Sequence, residues 1–415
     1  TALTFWGSTS ALGGTTNNAH LYKAIPRFIN GILMVHIPAR TYHEEARESA
    51  KNTPSGSLSG SVGSGGANSL DVEIQEKWNE RREKVGSIHS LVDITVELQE
   101  LIPLPDDVVD LILKNFWEQF HPQFPLIDKI WFDAQLKSLR SLPYINIELH
   151  WRFILLLTSV LALMVNFSPS LSIWENIVLK HLLDSYKKIL FDHFEIADVI
   201  MVQSLLFIVL MGGCARGVRF TGTWGYMGIA VRLAQELGLH RSVKELGVLH
   251  RTFTKESIAI RNRTWHCVMI METYTCIWTG RPLAIHDSDW DAEYPEATTP
   301  ETTTLRHHID LAIIIAKILR FANRAQPSDV NMFASTIKAS LDAWWSALDD
   351  DWRSLIFQER WNSKALMALM YHSATILFYR TAYCRIDQPA CLEAASAITK
   401  LVSRFEAPPS TNECI

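Results

Sequence analysis

The sequence predicts an all-α fold, an irregular array of antiparallel packed helices, on three observations. Apolar residues recur at intervals of three and four, as in Val108, Leu111, Ile112, Phe116 and Phe120, and again in Trp224, Met227, Val231, Ala234 and Leu237. That spacing lines one face of a helix. Alternating β-branched segments bounded by hairpin turns are scarce. Breakers at Pro122, Pro125, Pro143, Pro169, Gly212-Gly213 and Pro282 divide the chain into helical lengths, about ten to twelve segments in all. No period of roughly 20 to 50 residues repeats, which favours a globular array over a solenoid.

In chain order, residues 1–50 mix aromatic and apolar positions (Phe5-Trp6, Leu21-Tyr22, Phe28 to Val35) with turn-forming Gly7, Gly13 and Gly14. They read as an arm packed on a larger body. Residues 51–70 are dominated by glycine and serine. Such a composition buries too little apolar surface to offset its ordering entropy, and it reads as a flexible linker. Residues 71–97 form a short charged helical connector, and residues 98–415 the main helical domain. Near its start, Pro103-Leu104-Pro105-Asp106-Asp107 supplies the proline and acids suited to a helix N-terminus.

A chain of 415 residues, 48% of them hydrophobic, can bury one large core or two ordinary ones. Lys and Arg number 39 against 44 Asp and Glu, a net charge of -5. With no sustained basic run, no stripe is available for neutralising phosphates. Six cysteines at 214, 267, 276, 384, 391 and 414 lack the short paired spacing of a zinc site or a disulfide framework. They fit a reducing setting, and no metal site is expected. The longest apolar runs, Phe153 to Val165 and Val199 to Met211, fall short of the ~20 residues that span a bilayer. They read as core helices, so no membrane partner is expected.

Three segments are more distinctive. The first, Phe116-Trp117-Glu118-Gln119-Phe120-His121-Pro122-Gln123-Phe124-Pro125, ends a helix in aromatics and breaks it with two prolines, because proline disfavours helix at the residue before it. The second, Gly225 to Arg241, is an amphipathic helix ending Leu237-Gly238-Leu239-His240-Arg241, where Gly238 can take the left-handed capping conformation. The third runs from Arg261-Asn262-Arg263-Thr264-Trp265-His266 to Gly280-Arg281-Pro282 and an acidic loop with Asp287, Asp289 and Asp291, closing at Tyr294-Pro295. Together they resemble the fungal-specific transcription factor domain, or middle homology region, of zinc-cluster transcription factors. Asn262 and His266 stand where that family usually has Arg and Trp, and Glu272 where Asp is common.

The resemblance implies a nuclear, effector-sensing and autoinhibitory module of a regulator of RNA polymerase II transcription. Implied partners are a small-molecule effector, transcriptional coregulators and a second subunit in a homodimer. DNA would be read by an upstream six-cysteine zinc cluster, the only place where zinc is expected. No Cys-x-x-Cys-x(6)-Cys pattern precedes position 71. Two alternatives belong to other classes: a protein-interaction scaffold on chromatin, and an all-α lipophilic-ligand carrier or enzyme.

Candidate ligand-binding aromatics are Phe120, Phe124, Trp131, Trp224 and Trp265, which could line a pocket or simply fill a core. Arg281, beside Asp287 and Asp289, is expected to pin the loop by an ion pair. No catalytic residue is expected. Gly56-Ser57-Leu58-Ser59-Gly60 has the letters of a nucleophile elbow but sits in the linker without strand or helix. Gly222, Gly225 and Gly228 depart from the dinucleotide fingerprint and are expected instead to admit close helix packing. Adjacent His307 and His308 point to different helix faces, a poor start for a metal site.

Overall fold

The protein is described here from a computed structural model, which defines residues 95–167, 175–212, 222–244, 253–322, 330–348, 363–380 and 388–406. The arm, the linker and nearly all of the charged connector lie outside these residues, as do Cys214, Cys384 and Cys414.

Among the described residues the chain runs β1 (Thr95–Val96), α1 (Leu98–Leu101), α2 (Asp106–Asn115), α3 (Lys129–Arg140), β2 (Ile145–Asn146), α4 (Ile147–Phe167), α5 (Glu175–Asp192) and α6 (Val199–Gly212). It continues through α7 (Thr223–Glu236), α8 (Lys255–Thr279), α9 (Pro300–Ala322), α10 (Val330–Ser346), α11 (Ser363–Arg380) and α12 (Gln388–Glu406). The predicted all-α array is the observed one. Among the described residues the one sheet is a two-stranded antiparallel bridge pairing Thr95 with Asn146 and Val96 with Ile145.

Local chemistry sets the helix ends. Asp128 caps α3 by accepting from the Trp131 N–H at 2.7 Å, and Thr254 caps α8 by accepting from Ser257 at 3.1 Å. After α7, Gly238 adopts φ 64°. Its N–H donates to Gln235 and the Leu239 N–H reaches back to Ala234, both at 2.9 Å. This is a Schellman ending, which consumes carbonyls that the helix leaves unpaired. A Cβ at Gly238 would meet only Arg261 Nη2, at 3.8 Å, so the obstacle to other residues is backbone strain. Gly238→Ala is expected to lower stability by about 1–2 kcal/mol; an unchanged melting temperature would show that the ending relaxes freely.

Packing is sequential: α4 lies against α5 and α6, α6 against α7 and α8, α7 against α8, α8 against α9, and α9 against α10 and α11, with α12 on α11. Helix α6 is apolar on all sides, and Met201, Val202, Leu205, Leu206, Phe207 and Ile208 are fully enclosed, as befits a central helix. Helix α4 is longer than its apolar run suggested, because the turn beginning at Ile147 extends it. By length and composition it could cross a membrane, yet 72% of its most apolar window is buried inside the protein. It is wrapped by α5 and α6 as a core helix.

Candidate functional site

The three distinctive segments fold onto one another around α8. At the first, α2 runs on into a π-helical turn (Phe116–Phe120) and a 3₁₀ turn (His121–Gln123). Phe116 is fully enclosed and packs edge-on against Trp117 and Phe207 at centroid distances of 5.0 and 5.6 Å. His121 Nε2 sits 3.0 Å from the Ile127 carbonyl and closes the corner. Burial pushes the His121 pKa down to about 4. Gln203, enclosed in α6, donates to the Leu126 carbonyl at 2.9 Å and to Thr264 Oγ1 of α8 at 3.2 Å. One amide thereby ties the corner to two helices.

At the second segment, Arg261 Nη2 donates to the Leu237 and Gly238 carbonyls, each at 3.0 Å. Its guanidinium lies over the Phe253 ring at 4.7 Å. A cation is favourable at a helix C-terminus, where the carbonyls and the macrodipole are negative. Just beyond, the His240 carbonyl accepts from the N–H groups of Asp291 and Ala292. Arg241 pairs with Asp291 at 3.0 Å, and Asp291 also accepts from the Ser242 N–H at 2.8 Å.

The third segment is the loop between α8 and α9. Glu272 projects from α8 into it, 3% exposed, and accepts from the N–H groups of Ala284 and Ile285. Burial pushes its pKa up to about 7, against the lowering effect of those hydrogen bonds and of Arg320. Arg320 of α9 donates to the Ile285 carbonyl at 3.0 Å and to Asp287 at 2.6 Å. A cavity of about 10 Å³ remains between them, lined by Met269, Glu272, Leu283, Trp290 and Arg320 among others.

The expected site residues are distributed rather than gathered. Phe124 is 1% exposed and lies 5.7 Å from the His308 ring. Trp265 is fully enclosed beside His240. Phe120 stacks on Phe116, and Trp131 meets Phe153 edge-on at 5.9 Å. Trp224 is 43% exposed. None of the five lines this cavity or a larger surface cleft of about 260 Å³ between α1, α2 and α3. Arg281 lies over the Trp224 ring at 4.6 Å. Asp287 takes Arg320 instead, while Asp289 accepts from the His286 N–H at 3.2 Å. The difference has a physical source: Arg320 reaches the loop from a neighbouring helix, whereas Arg281 leaves α8 past the left-handed Gly280 at φ 65°.

Gly225 and Gly228 give no close helix approach, since a Cβ at either would meet nothing within 4 Å. His308 is enclosed with Nδ1 3.0 Å from the Tyr274 hydroxyl, and Asp310 accepts from Tyr294. No group of three or more His, Cys, Asp or Glu able to hold a metal occurs among the described residues. Cys267 and Cys276 are buried, each with its thiol pushed up to about 12 by desolvation.

Sequence reasoning placed Arg261 and Glu272 in the third segment without reading their roles, and missed Gln203 and Arg320, the other two residues that tie the junction together. Gln203 carried a signal, as a long polar side chain inside an apolar run that can be buried only if hydrogen-bonded. Arg320 looks like an ordinary helix-surface charge.

A family model described as "Fungal specific transcription factor domain" matches residues 113–346, which contain all three segments. Among curated proteins the chain is 31% identical over 137 residues to an uncharacterized transcriptional regulatory protein of Schizosaccharomyces pombe, covering 30% of this chain and 17% of that one. It is 32% identical over 84 residues to pyrimidine pathway regulatory protein 1 of Saccharomyces cerevisiae, covering 20% and 9%. It is 25% identical over 207 residues to a negative regulator of pleiotropic drug resistance of Candida glabrata, covering 47% and 20%. In each case the match spans a fifth or less of the relative's length. No solved structure matches.

Proposed function

From a chain that belongs to the fungal specific transcription factor domain family, and so has a transcription-regulatory role, we propose the effector-sensing and autoinhibitory body of a nuclear regulator of RNA polymerase II genes. Its output is a conformational equilibrium, biased by whatever binds one packing arrangement better than the other. One observation carries this reading: the three family segments meet at a junction whose partners come from α6, α7, α8 and α9. A disturbance at any of these contacts reaches several helices. In this reading DNA is contacted by a zinc cluster on other residues of the full-length protein, as the family resemblance implies.

A second reading, a docking platform for coregulators or a second subunit, draws on exposed Leu149, Phe191, Phe194 and Ile196 at the α4–α5 end. Glu148 and His193, 3.3 Å apart, join the two helices there.

Thermal unfolding against a panel of fungal metabolites and hydrophobic drugs tests the first reading. A ligand at about 100 times its Kd stabilises the state it binds by about 2.7 kcal/mol, an expected shift of several degrees for one chemical class. No shift with any class, in a folded protein, would sink effector sensing and favour docking.

A further inference from the structure

The loop between α8 and α9 is gripped at one point from two sides. Glu272 takes the N–H groups of Ala284 and Ile285, and Arg320 takes the Ile285 carbonyl at 3.0 Å. Each grip is incomplete: Glu272 Oε2 and Arg320 Nε are both buried without a hydrogen-bond partner. Both residues line the same cavity of about 10 Å³, the space of one water molecule. Buried polar atoms are costly to leave unpaired, and a polar space of this size flanked by a donor and an acceptor has the room and the partners to hold one water.

We propose that Glu272, Arg320 and one internal water form a proton-operated latch on Leu283–Asp289, closed while Glu272 carries its proton and released when it ionises. With the proton on, Oε1 still accepts both N–H groups, and the acid hydrogen is shared with the water. With the proton lost, a full charge stands in a cavity too small for the several waters it needs, and opening the loop admits them.

The surrounding charges do not remove that charge. Arg320, from α9, is the nearest cation but divides itself between Asp287 at 2.6 Å and the Ile285 carbonyl. Arg232, from α7, is engaged with Gln235 at 2.8 Å. Cys276, one turn further along α8, remains a neutral thiol, and α6 carries no ionisable residue. Burial of Glu272, which moves its titration up to about 7, places the release in the neutral range. This goes beyond effector sensing: the loop is the segment that Asp291 ties to the end of α7, so its release loosens the junction.

Backbone hydrogen exchange of residues 284–289 in the whole chain, corrected for the intrinsic pH effect, tests the latch at pH 6 and pH 8. Because the Glu272 carboxyl is raised from 4.5 to about 7 only while the loop is closed, opening becomes about tenfold more favourable between pH 6 and pH 8 and levels off above 7, so protection in the wild type should drop by about tenfold at pH 8. Glu272→Gln, which keeps the acceptor but cannot ionise, should hold the pH 6 protection at both values. Equal protection of the wild type at the two pH values overturns the proposal. So does a Glu272→Gln chain that loses protection as the wild type does. Should that variant fail to fold, the wild-type comparison still decides.

Discussion

Replacing Phe116 by alanine is expected to lower the unfolding free energy by about 3–5 kcal/mol, the range for emptying a fully enclosed aromatic site. The ring has no exposed surface and contacts Phe207 of α6, with Trp117, Phe120 and His121 of its own corner around it. A space that size cannot close by a small shift, because the corner is held on its far side by Gln203 and the α6 backbone is braced by α4 and α8. Phe191→Ala removes the same ring from a position 60% exposed and should change stability by less than about 0.5 kcal/mol. Urea unfolding of the two variants makes the comparison. A loss below about 1 kcal/mol at Phe116 would mean that the corner is a surface feature and not part of the core.

The second large effect is acid unfolding below neutral pH. His266 and His308 are enclosed, and desolvation pushes their pKa values down from 6.5 to about 4 and about 3; His121 and His372 are also lowered to about 4. A depressed histidine binds its proton in the unfolded chain first. Its contribution is therefore fully present above pH 6.5 and is lost as pH falls toward the folded value, at about 1.4 kcal/mol per pH unit for each fully enclosed ring. Glu272 has the opposite sign: its pKa is raised from 4.5 to about 7, so it favours the folded state below pH 4.5 and withdraws that contribution as pH rises to 7. Between pH 6.5 and 4.5 the histidines outnumber it, and the net trend is loss of stability with acid. Denaturant midpoints measured from pH 7 to pH 4.5 should fall steadily. A flat profile over that window would mean that the imidazoles are hydrated in the folded state.

Much of the fold was legible because helical periodicity is a local property. The stripe at Trp224, Met227, Val231, Ala234 and Leu237 appears as α7, and the glycine that follows takes the left-handed conformation expected of a cap. The aromatic corner appears where expected, but Pro122 does not break the helix by itself: α2 ends at Asn115, His121 before the proline keeps a helical φ of -56° and ψ of -37°, and the chain turns away only at Phe124, before Pro125. Less legible were distances between elements. Arg281 stands near Asp287 in sequence but lies over Trp224, while Arg320, 33 residues away from Asp287, makes the ion pair. Gly225 and Gly228 are spaced as a packing motif yet face open space, because which face of α7 turns inward is set by α6 and α8 and not by the glycines.

By itself, the sequence determined the helical class, the positions of the corner and the left-handed cap, and the family to which the chain belongs, since each depends on neighbours within a few turns or on motifs written along the chain. Tertiary structure alone decided that Gln203 and Arg320 reach the three segments from α6 and α9, and that Arg261 and Glu272, inside the third, bind the end of α7 and the loop after α8. Their role comes from burial and from partners 12 to 77 residues distant, and a charge or an amide acquires its energetic weight only when folding takes it out of water.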